Sequence, residues 1–312
     1  MSVMKDVHVD AALTNFALQL PAEQDFIADL VCPIIPVMKE SDKYYKFNRE
    51  ELKPVDTYRA DGAEAKEFSW TQTTDTYSCS EHALKAHVTD RRIANSDSAI
   101  RPRTRTVTKL SRALRLARER RVQTLMQTGA NWAASAHPSN HWDEASADPE
   151  ADVHSARSAF LLQAGVYPNT IIINDVVRDT VVRWLKAQAD GITLMEFMAA
   201  DANVIGKQSS FFKGLFGIPN WIVGSSVYDS AALGVATESM ARVWNDSAVL
   251  LYVDPNPDME TASAAYTFQS RNSIVKAWRD ESRNLEWIET SHVLTEEIVS
   301  NLCGYMIYNV NG

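Results

Sequence analysis

The chain of 312 residues carries 31 basic and 40 acidic side chains, a formal net charge of −9. Apolar residues at 45% and charged residues at 23% fit a folded protein of about two or three lobes. They exclude global disorder, a collagen-like chain and a disulfide-stapled miniprotein. The longest uninterrupted apolar run near the C-terminus, 248–253, falls far short of the ~20 residues of a membrane helix. The opening MSVMKDVHVDAALTN lacks the basic and apolar regions of a signal peptide. Cys32, Cys79 and Cys303 are far apart and form no CxxC, so reduced thiols of a cytoplasmic product are expected.

Residues 1–40 read as an irregular arm. Its short apolar runs, FALQL and FIADLV, lead into CPIIPV, where Pro33 and Pro36 prevent a long helix. Such an arm needs apolar surface elsewhere, on its own body or on another copy. Residues 43–91 have strand character, with the aromatic, alternating KYYKFN and the Thr/Ser-rich FSWTQTTDTYSCSEHALKAHV. Between them LKPVDTYRADGAEAKEF is polar and carries the turn signal Asp61-Gly62. The pattern is a long two-stranded excursion, which is marginal in water unless it lies on something else.

A helix is predicted over 103–128, entered after Pro102 and stopped before Gly129, with Val107, Leu110, Leu114, Ala117 and Leu125 at helical spacing. Residues 101–121 hold nine basic side chains against one acid, Glu119, a net charge of +8 that leaves −17 on the other 291 residues. One basic element in an acidic molecule points to a polyanion or to an acidic neighbouring subunit. Arg103, Arg105, Lys109, Arg112, Arg115, Arg118, Arg120 and Arg121 are therefore candidates for non-specific nucleic-acid phosphate contact or for inter-subunit pairing.

Residues 130–152 are polar and small, a loop and lobe boundary. From 153 to 255 the sequence alternates: helix in SARSAFLLQAG, buried strand in TIIIN, helix in DVVRDTVVRWLKAQAD with Asp175 as its cap, a short helix in GITLMEFMAA, then strands in GIPNWIVGSSV and ARVWNDSAVLLYVD. Residues 256–312 return to strands, AYTFQSRNSIVKAWR and NLEWIETSHVL around DESRN, closing on EEIVSNLCGYMIYNV as an antiparallel meander.

No catalytic constellation emerges. VGSSVY only partly matches a nucleophile elbow, Gly206-Lys207-Gln208-Ser209 lacks the earlier glycine of a phosphate loop, and Gly214-Leu215-Phe216-Gly217 is no dinucleotide fingerprint. The cluster of His137, His141, Asp143, Glu144 and His154 is the strongest metal-like grouping. Pro138 between the first two histidines and the absence of HExxH favour a solvated loop over a zinc site.

Taken in order, the arm, polar hairpin, basic helix, α/β lobe and closing β-region resemble the major capsid protein of tailed double-stranded DNA bacteriophages, the HK97-like fold. The resemblance runs nearly end to end, through IADLVCPIIPV with KYYKFNREEL, YRADGAEAKEF with TYSCSEHALKAHVTD, RTVTKLSRALRLARERRVQTLM, PNTIIINDVV, ARVWNDSAVLLYVDP, SRNSIVKAWRDESRNLEWIE and CGYMIYNV. It implies an α+β subunit with an N-terminal arm (1–43), an extended loop (44–91), a peripheral domain in two parts (92–152 with the spine helix, and 256–312) and an axial domain (153–255). It implies a non-enzymatic role, hexamers and pentamers of the chain tiling an icosahedral virion capsid, assembly in the host cytoplasm, and no cofactor or membrane partner. Packaged double-stranded DNA, a portal and a decoration protein are the implied partners. The spine helix begins near residue 103, which leaves no room for an N-terminal scaffolding segment, so a separate scaffolding protein, or none, is expected. Tyr58, Arg59, Lys66, Phe68 and Trp70 become expected inter-subunit contacts of the loop. Nothing around Lys66, Asn301 or Asn309 marks them for the covalent subunit links of some members. The alternatives are an encapsulin-like nanocompartment shell and a metal-dependent hydrolase using His137, His141 and His154.

Overall fold

The computed structural model describes residues 8–9, 26–46, 49, 52–62, 64–67, 73–96, 101–188, 216–232, 234, 237–257 and 261–312. A two-residue strand, β1 (His8–Val9), is followed by a single helical turn, α1 (Ala28–Val31), and by β2 (Ile34–Pro36). The arm was expected to have little local structure. Of the two partners open to it, its own body or another copy, the described part takes the first: Ile27, Ala28, Val31, Cys32 and Ile35 are buried in the subunit's own core. The prolines do stop a helix, but the apolar residues between them find partners at home.

The hairpin forms as β3 (Ser41–Lys46) against β4 (Thr73–Ser78), antiparallel, with Tyr44 opposite Asp75. The return strand does not continue as one piece. It breaks at Cys79, and β5 (Ser80–Thr89) leaves the hairpin for a larger sheet. A short helix, α2 (Asp90–Ala94), starts where Thr89 Oγ1 accepts the Arg92 N–H. The long helix α3 (Pro102–Met126) follows within two residues of its predicted bounds, with proline in the first turn where no backbone donor is needed.

After β6 (Ala134–Ala136), α4 (Pro149–Ala164) is capped by Asp148, whose carboxylate accepts from Ala151 N at 3.1 Å. It ends on Gly165 at φ +76°, a left-handed cap that favours glycine. β7 (Thr170–Asn174) runs directly into α5 (Asp175–Gln188). The cap of α5 is Asn174, whose Oδ1 accepts from Val177 N at 2.7 Å, and not Asp175 as the sequence suggested. Asp175 instead takes Arg242 in a two-point ion pair at 2.7 and 3.0 Å. The predicted short helix at 191–200 lies outside the described residues. Then come β8 (Asn220–Gly224), β9 (Val227–Asp229), β10 (Met240–Arg242) and β11 (Ala248–Leu251), and finally β12 (Ala265–Asp280), β13 (Leu285–Ile298) and β14 (Gly304–Ile307).

Two five-stranded sheets organise these elements. The first has the order β1-β12-β13-β5, with β2 lying parallel along the same β12. The N-terminal half of α3 seals one face of it, through Val107 and Leu110 against Val88, Val275 and Ile288. The second has the order β6-β14-β11-β7-β8 and mixes parallel and antiparallel pairs. The closing segment was expected to complete an antiparallel meander with β12 and β13. Its strand β14 crosses over and pairs with β11 and β6 instead. Every residue of β14 is buried, and only a sheet covered on both faces accommodates that.

The second sheet's alternation divides the core. Ile171, Ile173, Leu250 and Ile307 face Phe160 of α4, Val181 of α5, and Trp142. Ile172, Val249, Leu251 and Met306 face the opposite way, toward Val122 and Met126 of α3 and toward Ile27 and Val31 of the arm. The last two turns of α3 thus join both sheets. Gly304 lies under the Trp132 indole and Gly224 under Trp244, so closely that a Cβ at either would fall within 2.3 Å of the ring.

Candidate inter-subunit and nucleic-acid surfaces

The eight basic candidates on α3 have very different surroundings. Arg118 is buried, at 9% exposure. Its guanidinium pairs with Asp29 of the arm, donates to Thr267 Oγ1 at 3.1 Å and to the Cys32 carbonyl at 3.4 Å, and lies 3.7 Å from Glu296. Arg121 makes a two-point bond to Glu296 at 2.9 and 3.0 Å. Arg103 reaches Glu286 of β13 at 2.6 Å, and the Arg120 guanidinium stacks 4.3 Å over the Tyr228 ring. Arg118, Arg121 and Arg103 are therefore paired within the subunit. Arg105, Lys109 and Arg112 are exposed, and Arg115 is half-buried.

The lone acid of the basic stretch carries the most connections, a role the sequence reading missed. Glu119 is fully buried. Its carboxylate accepts from Trp244 Nε1 at 2.7 Å, from the backbone N–H groups of Ala28 at 2.9 Å and Ile27 at 3.2 Å, and from Ser226 Oγ at 3.4 Å. It thereby ties the spine of the subunit to the arm and to the end of the second sheet. Burial pushes its carboxyl above the usual carboxylate range, while these four donors pull the other way. Its isolation among nine cations was the available signal: a single carboxylate kept within a basic face has a partner to satisfy.

The excursion beyond β3 and β4 has the opposite character. Every described residue from 52 to 67 is exposed, including Leu52, Val55 and Tyr58, which is 75% exposed. Lys66 pairs with Asp56 at 2.5 Å, and the Asp56 carboxylate also accepts from Tyr58 N at 3.0 Å, which folds the loop on itself. The turn at Asp61-Gly62 is present, with Gly62 at φ +74°. Tyr58, Arg59 and Lys66 are placed on this open surface; Phe68 and Trp70 lie outside the described residues. At the root of the excursion Tyr44, Tyr77, Tyr266 and Phe268 form an aromatic cluster, with Tyr77 stacked on Phe268 at 4.4 Å.

The metal-like grouping does not assemble. His137 lies against the Tyr308 ring at 3.8 Å, His141 Nδ1 meets the Asn309 carbonyl at 3.0 Å, and His154 faces Glu150 at 3.7 Å. Asp143 accepts from Gly312 N, and the buried Trp142 donates its backbone N–H to the Val310 carbonyl at 2.6 Å. Among the described residues no three His, Cys, Asp or Glu side chains converge as a metal site would require. The segment is a latch on the C-terminus, better ordered by contacts than a solvated loop. The three cysteines are unpaired; burial pushes Cys32 up to about 12 and Cys303 up to about 11, so neither is a thiolate near neutral pH.

No family model matches the sequence. Over 314 aligned positions, spanning 97% of each chain, it is 23% identical to the major capsid protein of Burkholderia phage BcepMu. A phage-related protein from Bordetella bronchiseptica RB50, solved by crystallography, matches with a TM-score of 0.70 at 23% identity, over 97% of this chain and 98% of that one. The capsid of Myoviridae phage XM1 matches at 0.54 and 7% identity, over 93% of this chain and 92% of that one. This is an HK97-like capsid fold. A virus-like particle from Pyrococcus furiosus has it too, at a TM-score of 0.52 and 13% identity, over 95% and 96% of the two chains. The long helix α3 is anchored by Glu119 and Arg118 toward one end and leaves Arg105 and Lys109 exposed toward the other.

Proposed function

We propose that this chain is the structural subunit of a closed icosahedral shell around double-stranded DNA, built from hexamers and pentamers of itself. The reading rests chiefly on one observation, the end-to-end match to a major capsid protein, spanning 97% of each chain. On this reading the first sheet with the spine helix is the peripheral domain. The second sheet, with α4 and α5, is the axial domain around which capsomers close, and it includes the C-terminal strand.

The extended loop supplies the physical reason for assembly. It exposes Leu52, Val55 and Tyr58 on a segment with no core of its own, and burial of such groups contributes roughly 25 cal/mol per Å². Sister subunits provide that burial. The described part of the arm stays with its own subunit, residues 26–37 against its core and β1 along β12. The role is structural rather than enzymatic, exercised in the virion capsid after assembly in the host cytoplasm. A portal, a separate scaffolding protein and a decoration protein complete the expected partners.

The test is to express the chain alone, inspect it by negative-stain microscopy and extract the particle contents. Shells, tubes or six-membered rings are expected, with nucleic acid inside closed particles. Closed particles filled with a specific protein and no nucleic acid would replace the viral reading with a nanocompartment.

A further inference from the structure

A cleft of about 630 Å³ opens between the first turns of α3 and the junction of β5 with α2. Four cations line it: Arg91 and Arg92 from α2, Arg105 and Lys109 from α3. All four are exposed. Among the described residues no carboxylate lines the cleft, and none of the four cations has an ion-pair partner.

The acids that would neutralise this cleft are already engaged. Asp90, beside Arg91, is held by Arg279 at 2.7 and 3.2 Å. Glu281 takes the same arginine at 2.7 Å, and Glu286 takes Arg103. Four like charges thus line one cleft with no described acid to offset them, an arrangement that raises the local potential and draws in a polyanion. Arg105 and Lys109 are four residues apart on one helix face, a rise of about 6 Å, and Arg91 and Arg92 approach from the opposite wall. Cations spaced along two walls suit a chain of phosphates rather than one small anion.

We propose that this cleft binds the phosphodiester backbone of nucleic acid, with Arg91, Arg92, Arg105 and Lys109 contacting phosphates without reading bases. The proposal rests on the shell reading, since enclosed DNA is the ligand at hand. It narrows the DNA-facing candidates of the spine helix to its N-terminal half and adds two arginines from outside the helix.

The experiment is fluorescence anisotropy of a 20-base-pair duplex titrated with the full-length protein over a salt series. Parent protein is compared with the Arg91→Gln, Arg92→Gln, Arg105→Gln, Lys109→Gln variant. Each phosphate contact contributes about 0.9 to the slope of log K against log salt. The variant is expected to bind at least tenfold more weakly at low salt, with a slope shallower by about 2 to 4. The double variant Arg105→Gln, Lys109→Gln should show about half the slope change, and it serves if the quadruple variant melts early. A control with Arg178→Gln and Lys186→Gln on α5 should match the parent.

Parent-like affinity and slope in both cleft variants overturn the proposal. So does a variant that binds the duplex normally but no longer forms particles, which would assign the cleft to an acidic segment of a neighbouring copy. Microscopy of the same samples keeps the two readings apart. Parent particles with unchanged duplex binding in the variants sink the cleft alone. Loss of binding in a protein that never assembles leaves the cleft and sinks the shell.

Discussion

The two ends of the spine helix are equally basic in sequence and opposite in structure. At the N-terminal end Arg105 and Lys109 stand in solvent over a sheet whose nearby acids are taken by other partners. At the C-terminal end Arg118 and Arg121 converge on Glu296, and Glu119 collects four donors. The helix itself does not decide this. The acids that tertiary structure brings alongside do: Asp29 from the arm and Glu296 from β13 meet Arg118 and Arg121, while at the other end Glu286 takes Arg103 and no described acid reaches Arg105 or Lys109. A cation run is thus a bolt where acids meet it and an exposed face where they do not.

The sharpest way to break the comparison is to remove the bolt. Glu119→Ala strands the Trp244 indole N–H and the backbone N–H groups of Ile27 and Ala28 in the core. A loss of about 3–5 kcal/mol is expected in chemical denaturation, with Glu119→Gln intermediate because an acceptor oxygen remains. A loss below ~1 kcal/mol would mean that water or rearranged backbone satisfies those donors. Arg118→Met should come next, at about 1–3 kcal/mol, because the Thr267 and Cys32 hydrogen bonds go while Arg121 still neutralises Glu296.

Acid provides a third test at the same end. His292 of β13 sits beside His82 of β5 at 5.7 Å and beneath Arg118 and Arg121 of α3, with Glu296 on its own strand. Burial first, then His82 and the two arginines, hold its imidazole down at about 4. The unfolded chain takes up this proton below about 6.5 and the folded chain resists until about 4, so stability falls as pH drops through that window. Burial pushes Glu119 and Glu297 upward, and their contribution has the opposite sign, rising on acidification. The difference between parent and His292→Phe isolates the histidine. The parent should lose on the order of 1 kcal/mol more between pH 6.5 and 4.5, read as the thermal midpoint; parallel pH profiles would refute the assignment. The smallest effect belongs to the open end. Arg105→Gln should leave stability within about 0.5 kcal/mol of the parent, and a larger loss would reveal a hidden partner.

Much of this architecture is legible in the sequence where information is local. The spine helix, the body of α4, α5 and the long β12–β13 hairpin follow from periodicity and the turn at 281–284, whereas β6 and the first turn of α4 fall in the stretch 130–152 read as a loop. What was missed depends on partners distant in sequence. β14 reads like its predecessor β13 and yet joins β11, more than fifty residues earlier. The arm's apolar residues reveal that they need burial, not whose core receives them. Asn174 outcompetes Asp175 as a cap because Arg242, sixty-seven residues on, claims the aspartate. For the surface candidates, the basic stretch is legible in the sequence, and only the placed acids separate its paired residues from its exposed ones.

The most direct test of the assembly account replaces residues 52–67 with a short Gly-Ser linker and examines the protein by thermal melting and electron microscopy together. The account predicts a melting profile close to the parent, since every described residue removed is exposed, and no closed particles. Closed particles as abundant as the parent's would show that the extended loop has no counterpart on sister subunits and would contradict it.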